Sequence, residues 1–164
     1  MTDTKKTTPL QVFENARLGK KNFKGALNQW GDDRGRTFRI YFTEDPDRAD
    51  ELRSLGYNIQ GGDPIDGQEG EFYPEYLEVS VMFGQYPPEI WITNGTIDDQ
   101  PRALSEETVA SLDSYRFASA DVVVRGNSWK VGPKSGIKAY LKKIYVTIDK
   151  DAVNQDPMLN KYGY

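Results

Sequence analysis

The chain has 164 residues, 37% of them hydrophobic and 12% aromatic, and a formal net charge of −4. That length suits one domain with a buried core, and no run of eighteen apolar residues offers a transmembrane helix. Cysteine and histidine are both absent, so disulfides, thiolate nucleophiles, Cys-ligated zinc and Ser-His-Asp or Cys-His catalysis lie beyond this chain alone.

Residues 1–9 are polar and Thr-rich and close on Pro9, which predicts a disordered lead-in. They hold no apolar segment of a secretory signal, so a cytoplasmic location is expected. Leu10 to Lys24 reads as a first strand region bent at Gly19 and Gly25. Asn28 to Gly35 is a Gly/Asp/Asn loop. Thr37 to Phe42 alternates, with Phe38, Ile40 and Phe42 on one side and Thr37, Arg39 and Tyr41 on the other. Thr43-Glu44-Asp45-Pro46 carries helix start signals, and Gly56 is the natural stop of a helix over Asp47–Leu55. Tyr57 to Ile59 predicts a brief strand, and Gly61 to Gly70 a loop.

Tyr76 to Phe83 predicts a strand with Leu77, Val79, Val81 and Phe83 set against Tyr76, Glu78, Ser80 and Met82. Tyr86-Pro87-Pro88 turns the chain into a strand over Glu89–Thr93, with Ile90 and Ile92 inward and Trp91 outward. Asn94 to Ala103 reads as an acidic loop. Ser105 is a candidate N-cap for a second helix running to Tyr115 and burying Val109 and Leu112. Ala120 to Arg125 is a strand, Gly126-Asn127 a turn, Trp129 to Val131 a short extended piece and Gly132 to Gly136 a tight loop. Ile137 to Ile148 is a long last strand whose buried parity changes between Leu141 and Ile144. A bulge near Lys142-Lys143 restores one buried face and bends the strand. Residues 150–164 form a flexible tail, leaving 10–149 as the folded domain. Strands do not alternate regularly with helices. The expected class is therefore mainly β, a small antiparallel OB-like barrel with two short helices.

Charge is unevenly placed. Ala16 to Phe42 holds seven Lys/Arg and two Asp, Glu44 to Asp121 four Lys/Arg and eighteen Asp/Glu, and Arg125 to Lys143 six basic residues and no acidic one. Two basic blocks flank an acidic middle, and both contain aromatics. The first set is Arg17, Lys20, Lys21, Phe23, Lys24, Trp30, Arg34, Arg36, Arg39 and Tyr41. The second is Arg125, Trp129, Lys130, Lys134, Lys138, Tyr140 and Lys142. Cations along a strand suit phosphates, and flat rings suit unstacked bases, which is the combination that single-stranded nucleic acid requires. The plainer alternative makes the aromatics core or rim residues and the lysines a solvated face.

Other motifs point elsewhere only weakly. Gly132-Pro133-Lys134-Ser135 resembles the end of a phosphate loop, but Gly126 stands at the wrong spacing and a β-prone run follows. Asp32-Asp33 and Asp98-Asp99 have the composition for Mg²⁺ in a nuclease, although paired carboxylates in Gly-rich loops are ordinarily turn residues. No metal and no cofactor is expected, and no enzymatic activity.

Phe13-Glu14-Asn15-Ala16-Arg17-Leu18, Asn22-Phe23-Lys24-Gly25 and Gly35-Arg36-Thr37-Phe38 resemble the opening of a family of bacteriophage single-stranded DNA-binding proteins. A closer match is the end series: Trp129-Lys130-Val131, Gly136-Ile137-Lys138-Ala139-Tyr140-Leu141-Lys142 and Tyr145-Val146-Thr147-Ile148. The resemblance spans Phe13 to Asp149 and departs at Gly132-Pro133-Lys134, where that family usually has a shorter Asn-Gly-Lys turn. It implies an OB-like, non-enzymatic protein that coats single-stranded DNA in the host cytoplasm during replication or recombination. Phage or host replication proteins would be its partners. Arg17, Phe23, Arg36, Trp129, Lys138 and Tyr140 are the matching positions that would contact DNA. The alternatives are a phage structural or host-modulating module that binds proteins through its aromatic surface and, third, a metal-dependent nuclease.

Overall fold

The computed structural model describes residues 9–26, 35–95 and 99–149. Within them the chain forms β1 (Gln11–Phe13), β2 (Arg17–Asn22), β3 (Arg36–Tyr41), α1 (Pro46–Leu55), β4 (Ile59–Gln60), β5 (Tyr76–Val81), β6 (Glu89–Thr93), β7 (Arg102–Leu104), a 3₁₀ helix (Val109–Ser114), β8 (Phe117–Val131) and β9 (Lys134–Ile148). The expected lead-in and tail, and the loop that carries Trp30, Asp32, Asp33 and Arg34, lie outside the described residues, as does Asp98, apart from Pro9 and Gly35.

Period-two alternation sets the inward face. Phe38, Ile40 and Phe42 are buried, as are Leu77, Val79, Val81, Ile90 and Ile92. Phe23 stacks on Phe38 with centroids 5.3 Å apart, and Phe13 meets Phe42 at 6.1 Å. The α1 start signals act as expected: the Asp45 carboxylate accepts from the Arg48 N–H at 3.3 Å, and Pro46 occupies the first turn. Gly56 ends the helix with φ 110°, a left-handed conformation suited to glycine. Ala49 and Leu52 are its buried residues.

The sheet runs β1-β8-β9-β5-β3-β2, with β4 on β5, and β7 on β6, which itself joins β9. The two ends of this path are consecutive in sequence. Between them Asn15 takes φ 50°, its N–H donates to the Asp121 carboxylate at 2.8 Å, and the Ala16 N–H donates to the Ala120 carbonyl at 2.7 Å. The sheet therefore curls until its ends share one turn, without closing into a continuous ladder. This is the mainly β, OB-like architecture expected, with one amendment. The β5–β9 and β6–β9 ladders are parallel, while the others are antiparallel.

β9 explains the amendment. It runs beside β5 at Ala139-Tyr140 and beside β6 from Lys143 to Thr147. Between these partners the β8–β9 register steps from Val124↔Leu141 to Val123↔Lys143, leaving Lys142 as the extra residue of a bulge. Leu141 and Ile144 consequently both point inward. The bulge therefore falls where the parity of the sequence required one.

Two local readings fail, and a third holds in altered form. Gly126-Asn127 is no turn, because β8 continues through it with Gly126 opposite Ala139. Fifteen residues of pairing to β9 outweigh a local turn preference. The reversal is instead the two-residue loop Gly132-Pro133, with Gly132 at φ 59° followed by a fixed negative proline φ, the requirement of a type II′ hairpin. Arg102 and Ala103, read as the end of a loop, form β7 with Leu104 and pair with β6. The second helix is a short 3₁₀ turn. Ser105 does not cap it by side chain, yet Val109 and Leu112 are fully buried, because a three-residue spacing suits a 3₁₀ helix equally.

Candidate nucleic-acid interface

Residues that alternate with the core positions share the outer face of the sheet. Register carries this face across five strands: Arg17 lies opposite Tyr41 and Tyr41 opposite Tyr76, while Arg39 lies opposite Glu78. Ser80 then pairs with Tyr140, and Tyr140 with Arg125. Along the β8–β9 hairpin the same face continues through Asn127 opposite Lys138 and Trp129 opposite Gly136. Two basic-aromatic groups, far apart in sequence, thus occupy one surface.

At one end, the Arg39 guanidinium lies 4.0 Å over the Tyr76 ring, and Tyr41 meets Tyr76 at 5.8 Å with a 58° tilt. Gly19 makes this packing possible. A Cβ there would stand 2.5 Å from Tyr41 Cε2, so the Tyr41 ring leans over bare β2 backbone. At the other end, Arg125 and Lys138 approach the Tyr140 ring at 5.6 Å and 5.4 Å. Trp129 lies across Gly136: a Cβ at that glycine would meet three indole atoms at 3.0–3.1 Å. One indole face is covered by the hairpin backbone and the side chain remains 42% exposed. Such pairs put a cation beside a ring at each step, the arrangement that accommodates a phosphate and a stacked base together.

Other sequence-derived positions have different placements. Arg17 is on the outer face, engaged with Glu44 at 2.5 Å, both about two-thirds exposed. Lys20 is exposed, with φ 46° at the β2 irregularity. Lys24 is exposed beside the Asp113 carboxylate, which accepts its N–H at 2.9 Å. Lys130 has the opposite parity to Trp129 and pairs with Ser135, so it faces away. Lys134 sits beside the hairpin reversal opposite Val131. Lys142 and Lys143, two consecutive residues against Val123, are both exposed at the bulge. Trp30 and Arg34 are outside the described residues.

Three expected contacts belong to the interior or the opposite face. Phe23 is 0% exposed and stacked on Phe38, so it offers no ring to a base. Arg36 has the parity of Phe38, lies 5.3 Å over Phe83 and sits 3.5 Å from Glu106. It braces the sheet to the segment before the 3₁₀ helix instead of joining Arg39. Lys21 Nζ donates to the Leu112 carbonyl at 3.1 Å and the Tyr115 carbonyl at 2.5 Å, and lies 4.2 Å over the Phe117 ring. Burial lowers the Lys21 ammonium to about 8, with the Asp113 charge acting in the opposite sense. The unfolded chain therefore holds the extra proton between about pH 8 and 10.5, and folding stability rises with pH over that window. Urea unfolding at pH 8 and pH 10.5 is expected to show this gain in the wild type and not in Lys21→Met. Lys21→Met should leave single-strand affinity within about twofold, since its Nζ is taken up by two backbone carbonyls.

Tyr73 and Tyr76 were absent from the sequence-derived set. Tyr76 carries the signal that identified Tyr41, namely parity opposite to the buried Leu77. Tyr73 has none. It stands just past Gly61–Gly70, the stretch read as a loop, and the two together fold as a small hairpin: the Gly62 N–H donates to Tyr73 O at 2.9 Å and the Tyr73 N–H to Asp63 O at 2.8 Å. Together Tyr41, Tyr73 and Tyr76 line a pocket of about 530 Å³ with Lys20, Arg39, Gln60 and Asp63.

The acidic pair expected as a metal option is also explained in part. Asp99 Oδ2 accepts from Thr93 Oγ1 at 2.9 Å and from the Asn94 N–H at 2.7 Å. These bonds, the Asn94 one foremost, hold its carboxyl below the usual carboxylate range. Its role is to cap the end of β6. Among the described residues no three Asp/Glu side chains gather as a metal site would require.

The family described as “Putative phage ssDNA-binding domain” matches residues 1–160. The chain belongs to that family. A similar fold is seen in a solved structure, the C-terminally truncated single-stranded DNA-binding protein from bacteriophage Enc34. It aligns at a TM-score of 0.52 over 92% of this chain and 98% of that one. At 12% identity the likeness is one of fold. A curated relative, an uncharacterized protein of Aquifex aeolicus (strain VF5), is 28% identical over 123 residues. That match takes in 73% of this phage-type domain and 37% of the relative, so the chain spans a little over a third of the relative's length.

Proposed function

We propose that the chain binds single-stranded DNA along the outer face of its sheet, largely without sequence preference and without catalysing a reaction. The observation that carries this reading is the row joining Arg39, Tyr41 and Tyr76 to Arg125, Lys138, Tyr140 and Trp129 through the β3–β5–β9–β8 registers. Membership in the phage ssDNA-binding family supports it. The solved phage protein of similar fold is named for the same activity. Phosphates run beside the cations and bases rest on the rings. The chain acts in the host cytoplasm on DNA exposed in phage replication or recombination, where replication and recombination proteins are its partners. Among the described residues no helix is long and apolar enough to cross a membrane.

A salt titration tests the reading. Oligo-dT is expected to quench tryptophan fluorescence, and log K should fall against log salt with a slope of about −3 to −4, as for five or so phosphates on a single strand. Duplex of the same length should bind far more weakly, because its bases are not available to the rings. Absence of quenching and retardation at low salt, or equal affinity for duplex, would remove the proposal.

A further inference from the structure

We infer that the pocket between β2, β3 and the hairpin before β5 is a selective seat for one guanine of the bound strand. This rests on the single-strand-binding reading and adds a sequence preference to it. The pocket, about 530 Å³, is preformed. Gly19 admits the Tyr41 ring. Tyr76 Oη donates to Gln60 Oε1 at 2.7 Å, which fixes that ring at the rim of the sheet. Gly61, at φ 87°, passes so close to the Pro74 carbonyl that a Cβ would stand 2.1 Å from it, so this wall is closed by backbone. Tyr73 is 54% exposed and supplies a further ring.

Aromatic walls accept any base, so the polar groups decide which one. Lys20 and Arg39 are donors, and Asp63 contributes a carboxylate in an otherwise cationic pocket. An unpaired base shows its Watson–Crick and Hoogsteen edges. Guanine alone offers two adjacent donors, N1–H and N2–H, that a carboxylate can accept together, and two adjacent acceptors, O6 and N7, that suit a cation. Thymine has one donor, while cytosine and adenine each have only an exocyclic amine. A carboxylate at this place repels phosphate, so backbone binding alone gives no use for it.

The test compares four oligonucleotides of about ten nucleotides, a length within the usual range for one such domain. One is all thymidine and the others carry a single internal dG, dA or dC, measured by competition at fixed salt. The dG oligonucleotide is expected to bind about tenfold tighter than the other three, as for one bidentate base contact. Asp63→Asn should abolish that preference, with oligo-dT affinity held or raised because the repulsion of phosphate by the carboxylate is lost. Equal binding of all four, a preference for another base, or a dG preference that survives Asp63→Asn would overturn the inference while the general interface stands. Failure of oligo-dT itself to bind would instead remove the single-strand-binding reading.

Discussion

Replacing Tyr76 and Tyr140 together by alanine is expected to weaken oligo-dT binding at least about thirtyfold, with far-UV circular dichroism unchanged and a modest fall in the urea midpoint from the lost cross-strand ring contacts. Each ring stacked on a base contributes about 1–3 kcal/mol, and two such losses at the lower bound give that factor. The two rings belong to separate groups on the outer face. Tyr140 is the register partner of Ser80, four residues along β5 from Tyr76, or about 13 Å at the rise of a strand. They are therefore distant enough for their effects to add. Both side chains are half-buried on the outer face, so their removal opens no cavity among Phe38, Leu77 and Val79. Tyr86→Ala is the control: this residue is 70% exposed on the turn before β6 and is not part of the row. Full affinity in the double variant, with the fold intact, would move the interface off this face.

Phe23→Ala is expected to lower the free energy of unfolding by about 3–5 kcal/mol, as for other fully buried phenylalanines. The ring is stacked on Phe38, and the chain on either side is tied down: the Asp113 carboxylate accepts the Phe23 N–H at 2.8 Å and the Lys24 N–H at 2.9 Å. This variant separates a core role from a DNA contact, which the family resemblance alone does not. A core residue whose loss unfolds part of the sample lowers the fraction of molecules that bind. The dissociation constant of the folded molecules stays at its wild-type value. A DNA-contacting residue does the reverse. Titration of oligo-dT at concentrations above and below the dissociation constant distinguishes the two. Wild-type stability with a raised dissociation constant would return Phe23 to the interface.

The resemblance grouped Phe23 and Arg36 with Trp129, Lys138 and Tyr140 because a motif records which residue types recur and not which way they point. Direction was legible only where a strand was long and regular. Arg39 and Tyr41 could be placed outward because Phe38, Ile40 and Phe42 define the buried side. Tyr140 needed the bulge at Lys142, which the parity change between Leu141 and Ile144 already required. Asn22-Phe23-Lys24 follows an irregularity in β2, where the alternation no longer predicts a face. Lys21 looked like any basic-block lysine, since nothing local shows that the carbonyls of Leu112 and Tyr115 meet it from about ninety residues away.

Local spacing along the chain was enough for the class of fold, the two faces of β3, β5 and β6, the ends of α1, the need for a bend in β9, and the supply of cations and rings in two blocks. Each of these depends on spacing within a few residues, through the pleat of a strand or the capping of a helix. It took the folded chain to show that β5 lies between the blocks and joins them in one row, that Phe23, Lys21 and Arg36 support the fold instead of that row, and that Tyr73 and Tyr76 complete a pocket. Those outcomes depend on which strands pair and in what register, and pairing is settled by burial of the whole core, a long-range quantity that no short window of sequence contains.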